Sequence, residues 1–354
     1  MQPERVRALT GQPKKKAVFY CTAIDIPSAY RTRRALRIAH ALTDIEVIFL
    51  SERPLPHVEA AGFRVDKIHG KDGLRKAAGD LQPDILLRDG RAEPEETAAL
   101  KEIVPAIIHF DDNGEDTSPA DLIFRTFGGE TRGAVPSNVV EGQTGFIADP
   151  SLIRHRRAGL AKHPPGDLPH VVVTHGPADP SNLSYRTLRH LTQLHIPLKV
   201  TVLLGEAYTH PDDPLMMMAL GKRNVTIRKM PYDYGRELAS ADIVICSSGH
   251  IPFDVAFLSI PCIVLAQNEA ELGHALPNEE NGFIPLGLGR KVKQSMLLNA
   301  VMELLLHEPL RKRAIERQAA LRVEDGIDMV SEAVLYYLEY PPRGGKPNRP
   351  FPRH

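Results

Sequence analysis

Residues 241–266 read as strand, turn, helix, strand. An apolar run at 243–246 meets the small residues Ser247, Ser248 and Gly249, then a short helical segment and a second apolar run after Pro261. Two strands joined through a helix pair in parallel, and a parallel sheet is covered on both faces. In such a sheet the turn lies outside the carboxyl end of its strand, where amides at a helix start meet an anionic or hydroxylated ligand. This unit constrains the chain to an α/β fold and marks one place to hold a ligand.

The same alternation runs through the rest of the chain. Strands are expected at 16–24, 45–50, 64–68, 84–88, 106–110 and 121–127, with helices from Ser28 to about Leu42, at 71–81 and at 93–103. From 128 to 169 the pattern loosens, with only a short run at 145–148. It restarts with strands at 170–174, 198–204 and 225–229, and helices at 181–194, 214–220 and 233–239. Further helices are expected at 291–307 and 332–340. A chain of 354 residues suits two domains. The expected division is a flexible 1–15, an amino-terminal domain at 16–155, a linker at 156–168, a carboxyl-terminal domain with its helices at 169–340, and a disordered tail at 341–354.

Composition excludes several classes. With 44 basic and 44 acidic residues, no global field favours nucleic acid or an anionic membrane. Cys21, Cys246 and Cys262 sit in apolar runs without CxxC spacing, so neither disulfides nor zinc are indicated, and small core residues in a reducing compartment are expected. There is no apolar leader and no run of about 18 apolar residues, so a cytoplasmic protein without a transmembrane segment is expected. No phosphate-loop Gly-Lys-Ser/Thr, Gly-x-Ser-x-Gly or His-Glu-x-x-His motif occurs.

Four groups of residues carry possible chemistry. The turn from His175 to Leu183 follows a strand and opens a helix; Asp179 or Ser181 can cap it, and amides near Gly176, Ser181 and Asn182 can face a phosphate, although a plain cap explains the same residues. Ser248, Gly249 and His250 precede a helix whose one acid is Asp254, read either as a ligand for a diol or as a solvated charge. Gln267, Asn268, Glu269 and His274 follow the next strand. In the first half, Arg31, Arg33, Arg34 and Arg37 cluster at a helix start, while Asp89, Asp111 and Asp112 end strands and are candidate bases. Residues 109–120 fail as a calcium loop, since His109 and Ala120 fall at its first and last ligand positions.

The 241–266 unit, with 269–275 behind it, resembles the carboxyl-terminal domain of GT-B nucleotide-sugar enzymes, including the family that adds N-acetylglucosamine to lipid-linked muramyl peptide. Over residues 16–305 the chain is similar to the nucleotide-sugar hydrolase of pseudaminic acid synthesis and its spore-coat polysaccharide relatives. The resemblance implies two Rossmann-like domains facing a cleft, with no cofactor and no metal. It sets Gly176, Asp179, Ser181 and Asn182, in a Gly-x-x-Asp-Pro-x-Asn-Leu segment, beside the nucleotide. It gives Asp254 to the ribose hydroxyls, Ser248 and Gly249 to the diphosphate, His250 to the nucleotide, and Gln267, Asn268, Glu269 and His274 to the sugar. The family usually has two glycines where this chain has Ser248-Gly249. In the family's Gly-x-Gly-His-x-x-x-Arg pattern, Arg34 matches the arginine and Arg31 stands at the histidine, where a permanently protonated side chain takes no proton. The arginine cluster could clamp a phosphate, a sugar carboxylate or an anionic acceptor, with Arg31 assigned to the sugar, although a solvated basic face explains the same residues.

The leading expectation is a nucleotide-sugar-dependent glycosyltransferase of surface glycan or polysaccharide biosynthesis. Asp89 or the Asp111-Asp112 pair would be its base, and Arg34 with helix-start amides would stabilise the departing diphosphate. The alternatives are a nucleotide-sugar hydrolase and a nucleotide-sugar binder without turnover. The partner is a nucleotide sugar; the acceptor and the oligomeric state are not encoded legibly.

Overall fold

A computed structural model of the chain describes residues 14–21, 28–70, 72–90, 92–111, 119–127, 135–156, 167–230 and 233–342. They form two compact units.

The first unit is built on seven strands: β1 (Lys16–Cys21), β2 (Glu46–Ser51), β3 (Arg64–Lys67), β4 (Ile85–Asp89), β5 (Ala106–Phe110), β6 (Leu122–Arg125) and β7 (Val139–Glu141). Their order is β3-β2-β1-β4-β5-β6-β7, and every pairing is parallel. The central strands are apolar on both faces because helices cover both; Phe19, for example, lies in register with Phe49 on one side and Leu87 on the other. The chain order reverses between β1 and β4. The carboxyl end of β4 is Asp89 itself, and Asp111 directly follows β5.

The structure departs from the sequence-based expectation in two places here. The loosely patterned 128–169 stretch supplies β7, whose three residues with only Val139 buried are too short to give a period. The last helix, Gly326–Glu339, belongs to the first unit and not to the second domain in which chain order had put it. Its stripe Val330, Ala333, Val334 and Tyr337 buries into the same core as Phe19, Ile85, Leu87 and Ile108. The Tyr337 hydroxyl donates to the Asp121 carbonyl at 3.2 Å. Gly326 makes the approach possible, since a Cβ there would lie 1.8 Å from the Phe146 carbonyl oxygen.

The second unit carries β8 (His170–Thr174), β9 (Lys199–Leu204), β10 (Val225–Lys229), β11 (Ile243–Ser247), β12 (Cys262–Ala266) and β13 (Phe283–Leu288), all parallel in the order β10-β9-β8-β11-β12-β13. Val171, Val173, Ile243, Ile245, Ile263 and Leu265 form one sheet face, packed by Leu188 and Leu191 and by Leu297 and Val301 of the helices Leu183–Leu191 and Gln294–Leu306. The helix Ile251–Leu258 is buried all round, which explains its uniformly apolar sequence and singles out its acid, Asp254. A helix at Glu308–Ala320, not anticipated from its polar, charge-rich sequence, follows; Gln318 anchors it by donating to the Ile260 carbonyl at 3.0 Å.

All three cysteines are buried and unpaired by disulfides, with the Cys246 and Cys262 sulfurs 3.4 Å apart across β11 and β12. Among the described residues, no helix is long and apolar enough to cross a membrane. Most of the expected 1–15 segment, of the 156–168 linker and of the 341–354 tail lies outside the described residues.

Candidate functional site

In the second unit the chain reverses between β8 and β11, so the turns that follow β8, β11 and β12 come together at one edge of the sheet. Gly176 opens the first turn at φ +87°, a backbone conformation that L side chains rarely adopt. A Cβ on Gly205, after β9, would lie 2.4 Å from both Cα and O of Pro177, so the turn rests directly on bare backbone.

Asp179 is buried in the left-handed conformation, and its two oxygens accept from the amides of Leu183 and Ser184, each at 2.8 Å. Oδ1 also accepts from the Gln267 side-chain amide at 2.8 Å. This acid is a helix cap with its lone pairs in use. Gln267 is a clamp in the same sense: Oε1 takes the Ser181 amide at 3.1 Å, Nε2 also reaches the His175 carbonyl at 3.2 Å, and its own carbonyl accepts from the Ser181 hydroxyl at 2.9 Å. Asn182 accepts from the Tyr208 hydroxyl at 2.8 Å, and burial pushes that phenol up to about 12. His175 is buried with Nε2 on the Thr187 hydroxyl at 3.2 Å, and burial lowers its pKa to about 4, so the ring is neutral.

The second turn, Ser247 to His250, leads into the Ile251–Leu258 helix. Asp254, in the first turn of that helix and buried, accepts from the Tyr234 hydroxyl at 3.0 Å. Ser248 is held from both sides by the segment after β12. Its amide donates to Glu271 Oε2 at 3.1 Å, and its carbonyl accepts from His274 Nδ1 at 2.6 Å. The same Glu271 oxygen takes the Gln267 amide at 2.9 Å. Burial raises the Glu271 pKa, opposed by these two amides and by His274. The His274 ring stacks on Phe127 at 4.6 Å, and Phe127 meets His250 edge-on at 4.4 Å. Asn268 caps the short Glu269–Leu272 helix by accepting from the Glu271 amide at 3.1 Å, whereas Glu269 points to solvent, 4.0 Å from Lys291.

Of the residues singled out from sequence, this edge brings together Gly176, Asp179, Ser181, Asn182, Ser248, Gly249, His250, Asp254, Gln267, Asn268 and His274; Glu269 stands away from them. Sequence reasoning did not single out Glu271, Tyr234 or Phe127. Glu271 falls three residues after the Asn268 cap, the spacing at which an acid reaches back to amides at a helix start, and that was the available signal for it.

The first unit has its own group at the ends of β4 and β5. Arg34, fully buried, donates through Nε to Asp89 Oδ2 at 2.8 Å and through Nη2 to Asp89 Oδ1 at 2.6 Å; its Nη1 lies 2.7 Å from Asp111 Oδ2. The guanidinium also lies over the rings of Tyr30 and Phe110, each centroid 5.1 Å away. Asp111, at φ +50°, accepts the Thr126 amide through Oδ1 at 2.9 Å. Burial works against the Arg34 charge, but Asp111 and Asp89 outweigh it and hold the guanidinium protonated. Arg31 Nε lies 3.5 Å from Asp89 Oδ1. Asp112 lies outside the described residues. Among those described, no cluster of three or more His, Cys, Asp or Glu could hold a metal ion.

Two parallel-sheet units of this build define the GT-B class, and the chain has the GT-B fold. Among solved structures it is similar to MurG of Acinetobacter baumannii (TM-score 0.63, 14% identity, covering 91% of this chain and 99% of that one). It is also similar to HepE of Anabaena, solved with UDP and glucose (TM-score 0.62, 11% identity, 92% and 99% covered). In sequence it is 25% identical over 240 residues to the spore coat polysaccharide biosynthesis protein SpsG of Bacillus subtilis, covering 64% of this chain and 69% of SpsG. It is 24% identical over 255 residues to an uncharacterized protein of Methanocaldococcus jannaschii, a match that takes in 67% of this chain but only 53% of that relative. No family model matches.

Proposed function

We propose that the chain is a nucleotide-sugar-dependent glycosyltransferase of surface polysaccharide synthesis, with the nucleotide held by its second unit. The observation that carries this is Asp254, a buried acid in the first helical turn beyond a small-residue turn, where the strand order of a GT-B unit reverses. A carboxylate there can take both hydrogens of a vicinal diol, as a ribose presents. The UDP and glucose in HepE and the polysaccharide role in the name of SpsG support the same substrate class. No cofactor or metal enters the proposal, and helix-start amides stabilise the leaving nucleotide.

One observation favours a second reading. Arg34 holds both Asp89 and Asp111, which leaves neither poised as a base and fits a nucleotide-sugar binder without turnover. Hydrolysis fits less well, because Arg31 stands at the resembled family's histidine and lies beside Asp89. Incubation of nucleotide sugars with and without candidate acceptors separates the three. Nucleotide release that needs an acceptor supports transfer, release in buffer alone means hydrolysis, and binding without release means a binder.

A further inference from the structure

Glu271 places a negative charge against the turn proposed for a phosphate. Its Oε2 accepts from the amides of Ser248 and Gln267, and its Oε1 lies 3.6 Å from where a Cβ on Gly249 would stand. Two amides that could receive a ligand oxygen are therefore already occupied by a carboxylate from the chain itself. The charge sits beside the start of the Ile251–Leu258 helix, whose positive end stabilises it and would equally stabilise a phosphate. Asp179, held as a cap, adds a second acid that acts on Glu271, and His274 is the basic group facing it.

We propose that Glu271 is a specificity residue that limits how much negative charge this site accepts, standing in for one phosphate at the amides of Ser248 and Gln267. This rests on the nucleotide site proposed above. A ligand group bringing further charge to Gly249 must either displace Glu271 from both amides or sit beside it against like-charge repulsion. The site then discriminates among nucleosides by phosphate number, a property set by one side chain.

The test is calorimetric titration of the full chain with a nucleoside, its monophosphate and its diphosphate, for the parent, Glu271→Gln and Glu271→Asp. Glu271→Gln keeps an acceptor oxygen for the amides without the charge. The expected result is a gain for the diphosphate of about tenfold or more in Glu271→Gln, little change for the uncharged nucleoside, and no gain in Glu271→Asp. Equal affinity ladders in the parent and Glu271→Gln would overturn the inference while leaving the nucleotide site standing. An equal gain in Glu271→Asp would also overturn it, because loosening of the turn and not charge would be responsible. No binding of any nucleotide to any of the three proteins would overturn both the site and the inference.

Discussion

Arg34 meets Asp89 through two parallel hydrogen bonds, Nε to Oδ2 at 2.8 Å and Nη2 to Oδ1 at 2.6 Å, with the arginine side chain wholly out of solvent. The guanidinium fork matches the carboxylate, and its third nitrogen turns to Asp111. A cation buried this deeply is tolerated only with its partners in place. Removing one partner of such a pair costs about 3–5 kcal/mol. Asp89→Ala is therefore expected to lower the unfolding free energy of the first unit by about that amount, measured by urea denaturation. A variant as stable as the parent but inactive would instead make Asp89 a base.

Asp179 presents the corresponding case in the second unit. Its oxygens satisfy two helix-start amides and the Gln267 side chain in a buried setting. Asp179→Ala is expected to cost about 2–3 kcal/mol through lost capping and unsatisfied donors. Asp179→Asn, which tolerates the left-handed backbone and keeps one acceptor, should recover part of this in thermal melts. Identical melts for the two variants would contradict the capping role.

The contact of Gly205 with Pro177 predicts a remote effect on the site. Gly205→Ala must move the 175–182 turn, because the new Cβ would meet backbone 2.4 Å away and not a flexible side chain. A loss of about 1–3 kcal/mol in stability is expected, with weaker nucleotide binding measured by calorimetry. Unchanged binding would show that this turn does not contribute to the site.

His175 gives the fold a pH dependence. Burial lowers its pKa to about 4 from an ordinary value near 6.5, so between those values the unfolded chain binds a proton that the folded one does not. Its contribution is fully present above about pH 6.5 and is lost as pH falls toward 4, up to roughly 3 kcal/mol. The stability of His175→Gln should fall less steeply across that window in denaturant titrations at stepped pH. Parallel curves for variant and parent would refute the assignment.

The inner strands of both sheets were legible because they are buried on both faces, which leaves continuous apolar runs such as 243–246 and 171–173; the strands β7 and β13, each partly exposed, were not anticipated. The home of the last helix was not, since the Tyr337 contact with Asp121 spans 216 positions and no local pattern reports it. At the site, position was legible and role was not. An Asp-Pro-Ser-Asn turn reads the same whether Asp179 meets a phosphate or caps a helix, and only the distances to Leu183 and Ser184 show the cap. Glu271 escaped notice because its spacing after Asn268 reads as ordinary helix capping until its carboxylate is seen on the Ser248 and Gln267 amides.

Asp254 is proposed to mark a nucleotide site in the second unit. Its most direct test is calorimetric binding of UDP, CMP, GDP and dTDP and their sugars to the parent and to Asp254→Ala, with folding of the variant checked by its melt. One nucleotide class is expected to bind the parent, and a folded variant to lose about tenfold or more in affinity, as for a lost charged hydrogen bond. Binding to no nucleotide, or equal binding to both proteins, would contradict it.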